Sequence, residues 1–224
     1  MSNTIQERIQ RIAQTIPEGV QLVAISKYHP NEAIIAAYEV GQRVFGESRA
    51  QELQQKHADL PQDIQWHFIG HLQPNKVKYI APYVHLIHAV DSPKLLAEID
   101  KQGKKNDRII RCLLQIHVAQ ETTKFGFTLD ECRDFLRSGE WKAWHNAQIC
   151  GIMCMASNTD DETQIRNEFH TALTFFEELK KDFFADEPAF CERSWGMSND
   201  YPIAIQEGCT MVRIGSKIFG EREY

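Results

Sequence analysis

The sequence lacks the features of membrane, secreted and nucleic-acid-binding proteins. No apolar run approaches the roughly 18 residues of a membrane helix, and the opening MSNTIQERIQ has neither the cationic flank nor the apolar segment of a secretory signal. Lys and Arg number 25 against 31 Asp and Glu, and this net charge of −6 leaves no broad basic surface. We therefore expect a cytoplasmic protein whose partner is a small molecule, with neither nucleic acid nor a membrane as a partner.

Several ligand-binding signatures are missing as well. The chain contains no G-x-G-x-x-G, Walker or H-E-x-x-H motif. Cys150 and Cys154 lie too far apart along a predicted strand to share one zinc ion, so we expect no metal site. The six cysteines occur singly in apolar segments, which predicts reduced, mostly buried thiols; they are Cys112, Cys132, Cys150, Cys154, Cys191 and Cys209.

What the sequence does contain is an alternation of short β-rich apolar runs with longer stretches of helical periodicity. An opening helix is predicted near Ser2–Ile16. Eight candidate strands follow it: Gln21–Ser26, Arg43–Gly46, Ile64–Gly70, Leu86–Val90, Ile109–Val118, Ile149–Met155, Arg193–Met197 and Met211–Gly215. No linker divides the 224 residues. The prediction is an α/β fold with a single domain over residues 1–224, a (β/α)₈ TIM-type barrel with an extra N-terminal helix.

Local signals mark where three helices begin. Ser92 followed by Pro93 has the order of an N-cap and a first-turn proline. Thr128 with Glu131, and Thr159 with Glu162, have the spacing of a capping box. We therefore expect helices to begin at these three places.

In a parallel barrel the functional residues lie where strands end at their carboxyl side. Lys27 directly follows the first predicted strand, where partial burial favours the neutral amine that a Schiff base requires; a solvated loop lysine is the alternative. The turns over Ser194–Asp200 and Val212–Lys217 combine glycine with serine hydroxyls, a composition that suits phosphate binding. Ordinary tight turns have the same composition, so this alternative also stays open.

Five stretches carry a family resemblance, in order along the chain: Val23-Ala24-Ile25-Ser26-Lys27; Phe45-Gly46-Glu47; Trp66-His67-Phe68-Ile69-Gly70 with Leu72-Gln73 and Asn75-Lys76; Gly196-Met197-Ser198 with Asp200; and Met211-Val212-Arg213-Ile214-Gly215 with Ile218-Phe219-Gly220. Together they resemble the pyridoxal-phosphate-binding (PLP homeostasis) protein family of the YggS/PROSC type. That family in turn resembles the barrel domain of fold-type III PLP enzymes such as alanine racemase.

The resemblance implies a set of cofactor-binding residues. Lys27 matches the lysine that holds pyridoxal 5'-phosphate (PLP) as a Schiff base. Ser198, Gly215 and Ser216 match positions that hold the phosphate. Arg213 matches the arginine that faces the pyridine nitrogen, where a permanent cation disfavours ring protonation and weakens the electron sink.

Three further residues are candidates for the same site. Ser48 stands where relatives commonly have an asparagine, and the hydroxyl is a candidate replacement for that contact to the ring hydroxyl. Met155, at the end of the sixth predicted strand, is a candidate contact beneath the ring, with a core position as the alternative. Lys124 matches the family's second loop lysine, which would take PLP over by transimination; a solvated lysine is its alternative.

The resemblance implies a non-catalytic PLP carrier in vitamin B6 and amino-acid homeostasis, with PLP-dependent apoenzymes as recipients and a monomeric state. No residue matches the tyrosine base that racemases take from a second domain. A fold-type III amino-acid racemase is the leading alternative function. A barrel enzyme without PLP that acts on a phosphorylated substrate is the third.

Overall fold

Eight parallel strands close into a barrel in the computed structural model, which describes residues 4–119 and 125–220. Neighbours in the sequence are neighbours in the sheet, and β8 closes the barrel against β1. The strands are β1 Gln21–Ile25, β2 Val44–Glu47, β3 Gln65–Phe68, β4 Leu86–Val90, β5 Ile110–Gln115, β6 Ala147–Met153, β7 Glu192–Ser194 and β8 Met211–Ile214. The predicted (β/α)₈ barrel is confirmed.

Helices alternate with these strands. They are α1 Ile5–Ala13, α2 Asn31–Glu39, α3 Ala50–Asp59, α4 Val77–Ile80, α5 Pro93–Lys105, α6 Leu129–Ser138, α7 Glu162–Phe183, α8 Tyr201–Gln206 and α9 Ser216–Phe219, with 3₁₀ turns at Pro74–Lys76 and Glu140–Ala143. Helix α1 precedes the first strand, as the sequence predicted. Nowhere in residues 4–119 and 125–220 is there a helix of the length and apolarity that crossing a membrane requires.

The apolar core has two layers because successive strand residues point to opposite sides of the barrel wall. The larger layer packs the outer wall against the helices and contains Phe45, Trp66 and Phe169. The smaller one fills the barrel interior around Val23 and Leu113. The barrel is therefore a filled core, and a ligand can enter only at its ends.

Two of the three predicted helix starts are confirmed. The Ser92 hydroxyl accepts from the Leu95 amide at the start of α5, and Thr128 with Glu131 forms a complete capping box on α6. The third helix, α7, begins at Glu162, but the predicted capping pair of Thr159 with Glu162 is wrong. The carboxylate of Asp161 caps α7 through the amides of Thr163 and Gln164, while the Thr159 hydroxyl accepts from the Asp161 amide.

Strand boundaries differ from the predicted ones where an apolar run continues beyond the sheet. The predicted strand Arg193–Met197 ends at Ser194, yet Trp195 is fully buried beyond it. The predicted strand Ile109–Val118 shrinks at both ends, and Ile109 itself is 60% exposed. Burial thus extends past the end of β7, whereas Ile109, before β5, lies outside the core. All six cysteines are free and five are buried, as predicted.

Candidate functional site

A cavity of about 550 Å³ opens at the carboxyl ends of the strands, a size that suits a small-molecule ligand. Six of the eight predicted site residues line it: Lys27, Met155, Ser198, Arg213, Gly215 and Ser216. Ser48 instead lines a neighbouring depression that it shares with Arg49 and Lys76. Lys124 lies outside the described residues. The structure therefore brings together residues from the ends of β1, β6, β7 and β8.

The turn that carries Lys27 is fixed on both sides of this residue. The carbonyl of Ser26 accepts a hydrogen bond from Lys56 Nζ at 2.9 Å. Tyr28 has a positive φ of 67°, a left-handed conformation that is uncommon for a bulky residue, and its amide donates to Glu52 Oε1 at 2.7 Å. Side chains of α3 therefore hold the backbone from which Lys27 reaches into the cavity.

A buried charged cluster lies behind this turn. Lys56 Nζ is 2.8 Å from Glu47 Oε1 and 2.7 Å from Glu52 Oε1. Glu47 has no exposed surface and also accepts from the Ser26 hydroxyl at 2.6 Å. Burial raises the pKa of Glu47 to about 7, an effect larger than the opposing attraction and hydrogen bond of Lys56. The cluster is a structural support for Lys27 that sequence reasoning missed, because α3 has the polar composition of a solvated helix.

The raised pKa of Glu47 makes part of the stability depend on pH. A carboxyl whose pKa is higher in the folded than in the unfolded state contributes stability below its unfolded pKa and loses it as the pH rises through the folded value. From pH 5 to pH 8, wild-type protein should lose about 2 kcal/mol more unfolding free energy than Glu47→Gln. Urea unfolding of both proteins at the two pH values measures this. Equal pH dependence would mean that Lys56 keeps Glu47 ionised throughout.

Arg213 forms the inner end of the cavity and is 5% exposed. Its Nη1 donates to the carbonyl of Ser194 at 2.8 Å and to the hydroxyl of Ser194 at 2.7 Å. Its Nη2 donates to the carbonyl of Cys154 at 2.9 Å. Burial lowers the pKa of Arg213 from its usual high value, but a guanidinium remains a cation at neutral pH. The site therefore presents a fixed positive charge beside the ligand space.

Ser198, Gly215 and Ser216 meet at the cavity wall. The Ser198 hydroxyl is 3.1 Å from the Ser216 hydroxyl and 3.4 Å from the Gly215 amide. A Cβ on Gly215 would lie 3.2 Å from the Ile25 carbonyl oxygen, so glycine lets β8 pass close to β1 here. Two hydroxyls and one amide thus converge in a small volume and form a set of donors for an anionic oxygen.

Met155 and Ser48 have different positions relative to this cavity. Met155 is partly buried on the wall and packs against the interior cluster of the barrel. Ser48 packs against Gly70, where any Cβ would come within 2.8 Å of the Ser48 backbone.

In residues 4–119 and 125–220, no three His, Cys, Asp or Glu side chains form a group that could hold a metal ion.

Comparison with known proteins finds similar sequences and similar structures. The profile of the family described as alanine racemase, N-terminal domain, matches residues 2–223. A pyridoxal phosphate homeostasis protein of Aquifex aeolicus is 35% identical, with 98% of this chain and 96% of that protein covered. The structure of PipY from Synechococcus elongatus with PLP bound has a TM-score of 0.87 at 35% identity, covering 97% of this chain and 100% of that one.

A more distant structural neighbour has the same barrel. Alanine racemase from Bartonella henselae, with covalently bound pyridoxal phosphate, has a TM-score of 0.72 at 17% identity. The alignment covers 98% of this chain and 60% of the racemase chain. This likeness concerns the fold.

Proposed function

Since the chain belongs to the alanine racemase N-terminal domain family, and within it to the pyridoxal phosphate homeostasis proteins, we propose that it binds PLP in the cavity at the carboxyl ends of its strands. The observation that carries this proposal is the meeting of three complementary groups in one cavity: the Lys27 amine, the Arg213 guanidinium, and the hydroxyls of Ser198 and Ser216. They match the aldehyde, the ring nitrogen and the phosphate of PLP.

Lys27 is the residue that we propose holds PLP covalently. Its primary amine would condense with the aldehyde, forming a carbon–nitrogen double bond and releasing one water molecule. The backbone on either side of Lys27 is fixed by Lys56 and Glu52. This anchoring supports the assignment because a fixed attachment point holds the amine at the cavity at little further entropic cost.

The phosphate is proposed to bind where Ser198, Gly215 and Ser216 converge. A serine hydroxyl and a backbone amide both donate hydrogen bonds to phosphate oxygens without carrying charge. Because α9 is only four residues long, we attribute this binding to the individual hydroxyl and amide donors. The 3.1 Å separation of the two hydroxyls allows both to reach one phosphate group.

Arg213 supports a carrier rather than a catalyst. A guanidinium is a permanent donor, so it hydrogen-bonds a ring nitrogen that is unprotonated and leaves PLP a weak electron sink. The described residues that line the cavity also include no tyrosine or histidine that could serve as a second base opposite Lys27. We therefore propose a non-catalytic PLP carrier, a single-domain cytoplasmic monomer that passes PLP to apoenzymes, in preference to an amino-acid racemase.

Reductive trapping tests the proposal. Wild-type protein is mixed with PLP and treated with borohydride, which delivers a hydride to the carbon–nitrogen double bond and leaves a stable secondary amine for peptide mass spectrometry. We expect one adduct, on Lys27. An adduct confined to Lys124 would place the resting site at that lysine, and no adduct would contradict PLP binding through an imine. Racemisation of alanine at ordinary enzyme turnover, of order 1 s⁻¹ or more, would contradict the carrier role.

A further inference from the structure

A chain of polar side chains runs through the otherwise apolar barrel interior behind Arg213. Arg213 Nη1 lies 2.7 Å from the Ser194 hydroxyl. This hydroxyl lies 2.9 Å from His88 Nδ1, and His88 Nε2 lies 2.9 Å from His67 Nδ1. Ser194, His88 and His67 have no exposed surface. We call these three residues the imidazole chain; none of them lines the cavity.

The direction of every hydrogen bond in the imidazole chain follows from Arg213. A guanidinium can only donate, so the Ser194 oxygen accepts from it and the Ser194 proton is available for His88 Nδ1. His88 then carries its proton on Nε2 and donates it to His67 Nδ1. His67 in turn carries its proton on Nε2, an atom that has no hydrogen-bond partner among the described residues. Both imidazoles are therefore neutral Nε2–H tautomers.

The opposite direction would leave a buried donor without an acceptor. If His88 Nδ1 donated to Ser194, the Ser194 hydroxyl proton would need another acceptor, and the described residues supply none within hydrogen-bonding distance. An unsatisfied buried hydroxyl costs about 1–3 kcal/mol. The Arg213-to-His67 direction leaves one unpaired group, the His67 Nε2–H, whereas the opposite direction leaves two, the Ser194 hydroxyl proton and the unprotonated His67 Nε2.

Burial keeps the two imidazoles neutral, and positive charge near both ends of the barrel interior acts in the same direction. Arg213 lies at one end, and at the other Arg111 lies 3.4 Å from His85, whose ring stacks on His67 with the centroids 5.5 Å apart. Burial, followed by these neighbouring charges, holds the pKa values of His67 and His88 well below the usual range. Glu192 faces Arg111 at 3.0 Å and neutralises part of the charge at that end.

We propose that Ser194, His88 and His67 are positioning residues that orient Arg213 toward the pyridine nitrogen of PLP; this inference rests on the proposed function. Three of the five guanidinium N–H groups are used by the Ser194 carbonyl and hydroxyl and by the Cys154 carbonyl. The remaining two, on Nε and Nη2, are available to the ligand. Because every proton in the imidazole chain is already donated away from Arg213, the chain cannot deliver one to the ring nitrogen.

Nitrogen-15 NMR of ligand-free protein tests the direction of the chain without PLP. The side-chain signals of His67 and His88, assigned with His67→Gln and His88→Asn, should show a proton on Nε2 and none on Nδ1 from about pH 5 to pH 8, the range in which ordinary histidines titrate. The exposed side chain of His145 supplies an internal reference signal. A proton on Nδ1 of either ring, or protonation of either ring in that range, would overturn the proposal.

A second measurement tests the positioning role itself. Slow hydrogen exchange at the Arg213 guanidinium in ligand-free wild type should become fast in Ser194→Ala and in His88→Leu. It should stay slow in His88→Asn, whose amide oxygen replaces Nδ1 as the acceptor. Exchange that is equally slow in all four proteins would overturn the proposal. Since PLP is absent, neither result depends on whether the proposed function is correct.

With PLP added, the same variants separate a positioning role from a general effect on stability. We expect Ser194→Ala and His88→Leu to bind PLP roughly tenfold more weakly, the effect of losing one hydrogen bond to a charged group, and to shift the absorption band of the bound cofactor. His88→Asn should restore both, and the control His145→Asn should match wild type. Unchanged affinity and spectrum in His88→Leu would overturn the proposal, whereas absence of binding in wild type would overturn the proposed function.

Discussion

Lys27→Ala should lose the borohydride-stable PLP adduct completely and bind PLP at least about a hundredfold more weakly than wild type. The carbon–nitrogen bond disappears with the amine, and a hundredfold corresponds to about 2.7 kcal/mol of binding free energy. The remaining contacts, those of Ser198, Ser216 and Arg213, would account for the residual affinity. Absorption titration with PLP measures the affinity, and peptide mass spectrometry after reduction locates any adduct.

The variant should fold normally, because Lys27 is only partly buried and lies after the end of β1. Lys142→Ala, at the opposite end of the barrel, is the matched control and should retain the Lys27 adduct and wild-type affinity. An adduct of undiminished yield in Lys27→Ala would contradict the assignment, wherever in the chain it lies. A thermal unfolding midpoint within a few degrees of wild type would exclude misfolding as the cause of the loss.

Lys56→Met should destabilise the fold by about 3 kcal/mol at pH 8, the effect of removing one partner from a buried ion pair. At that pH the carboxylate of Glu47, whose pKa is about 7, would be left fully buried with no cation beside it. At pH 5 Glu47 is protonated in both proteins and the cost should be smaller. Urea unfolding at the two pH values measures the difference.

The double variant Lys56→Met/Glu47→Gln provides the control for this effect. Removing the charge together with its partner should recover at least half of the stability lost at pH 8, since a neutral amide does not need the cation. If the double variant were less stable than Lys56→Met, the loss would come from packing around the lysine stem. Lys56→Met should also weaken PLP binding, because the Ser26 carbonyl beside Lys27 loses its donor.

The barrel could be predicted from the sequence because each strand is a compact apolar run and several helix starts are marked locally. Ser92 and Thr128 illustrate this: each cap needs only the residues within one helical turn. The failure at Thr159 has the same local origin, since Asp161 stands closer to the helix and its carboxylate is a stronger acceptor. Local sequence signals therefore locate these helices, and competition between neighbouring hydrogen-bond acceptors decides which residue caps α7.

The site could be predicted only in part. Lys27, Ser198, Gly215 and Ser216 line the cavity; their places after strands made them candidates, and the family resemblance assigned them roles. The members of the imidazole chain lie inside strands, and pairing His67 with His88 depends on the register of β3 against β4. The residue pattern of one sequence does not show how β3 and β4 are aligned with each other. The position of Ser48, outside the cavity lining, depends in the same way on how its turn packs against Gly70.

The anchored turn around Lys27 determines how fast the Lys27 amine can move. Ser26 and Tyr28 are both held by side chains of α3. The backbone at Lys27 therefore does not have to rearrange for the amine to move, and the four torsions of the lysine side chain supply the motion. Side-chain rotations take picoseconds to nanoseconds, whereas loop opening takes nanoseconds to microseconds or longer. Under the proposed function, the lifetime of a bound PLP molecule would therefore be governed by the chemistry of its proposed link to Lys27, with no slow gate in this turn.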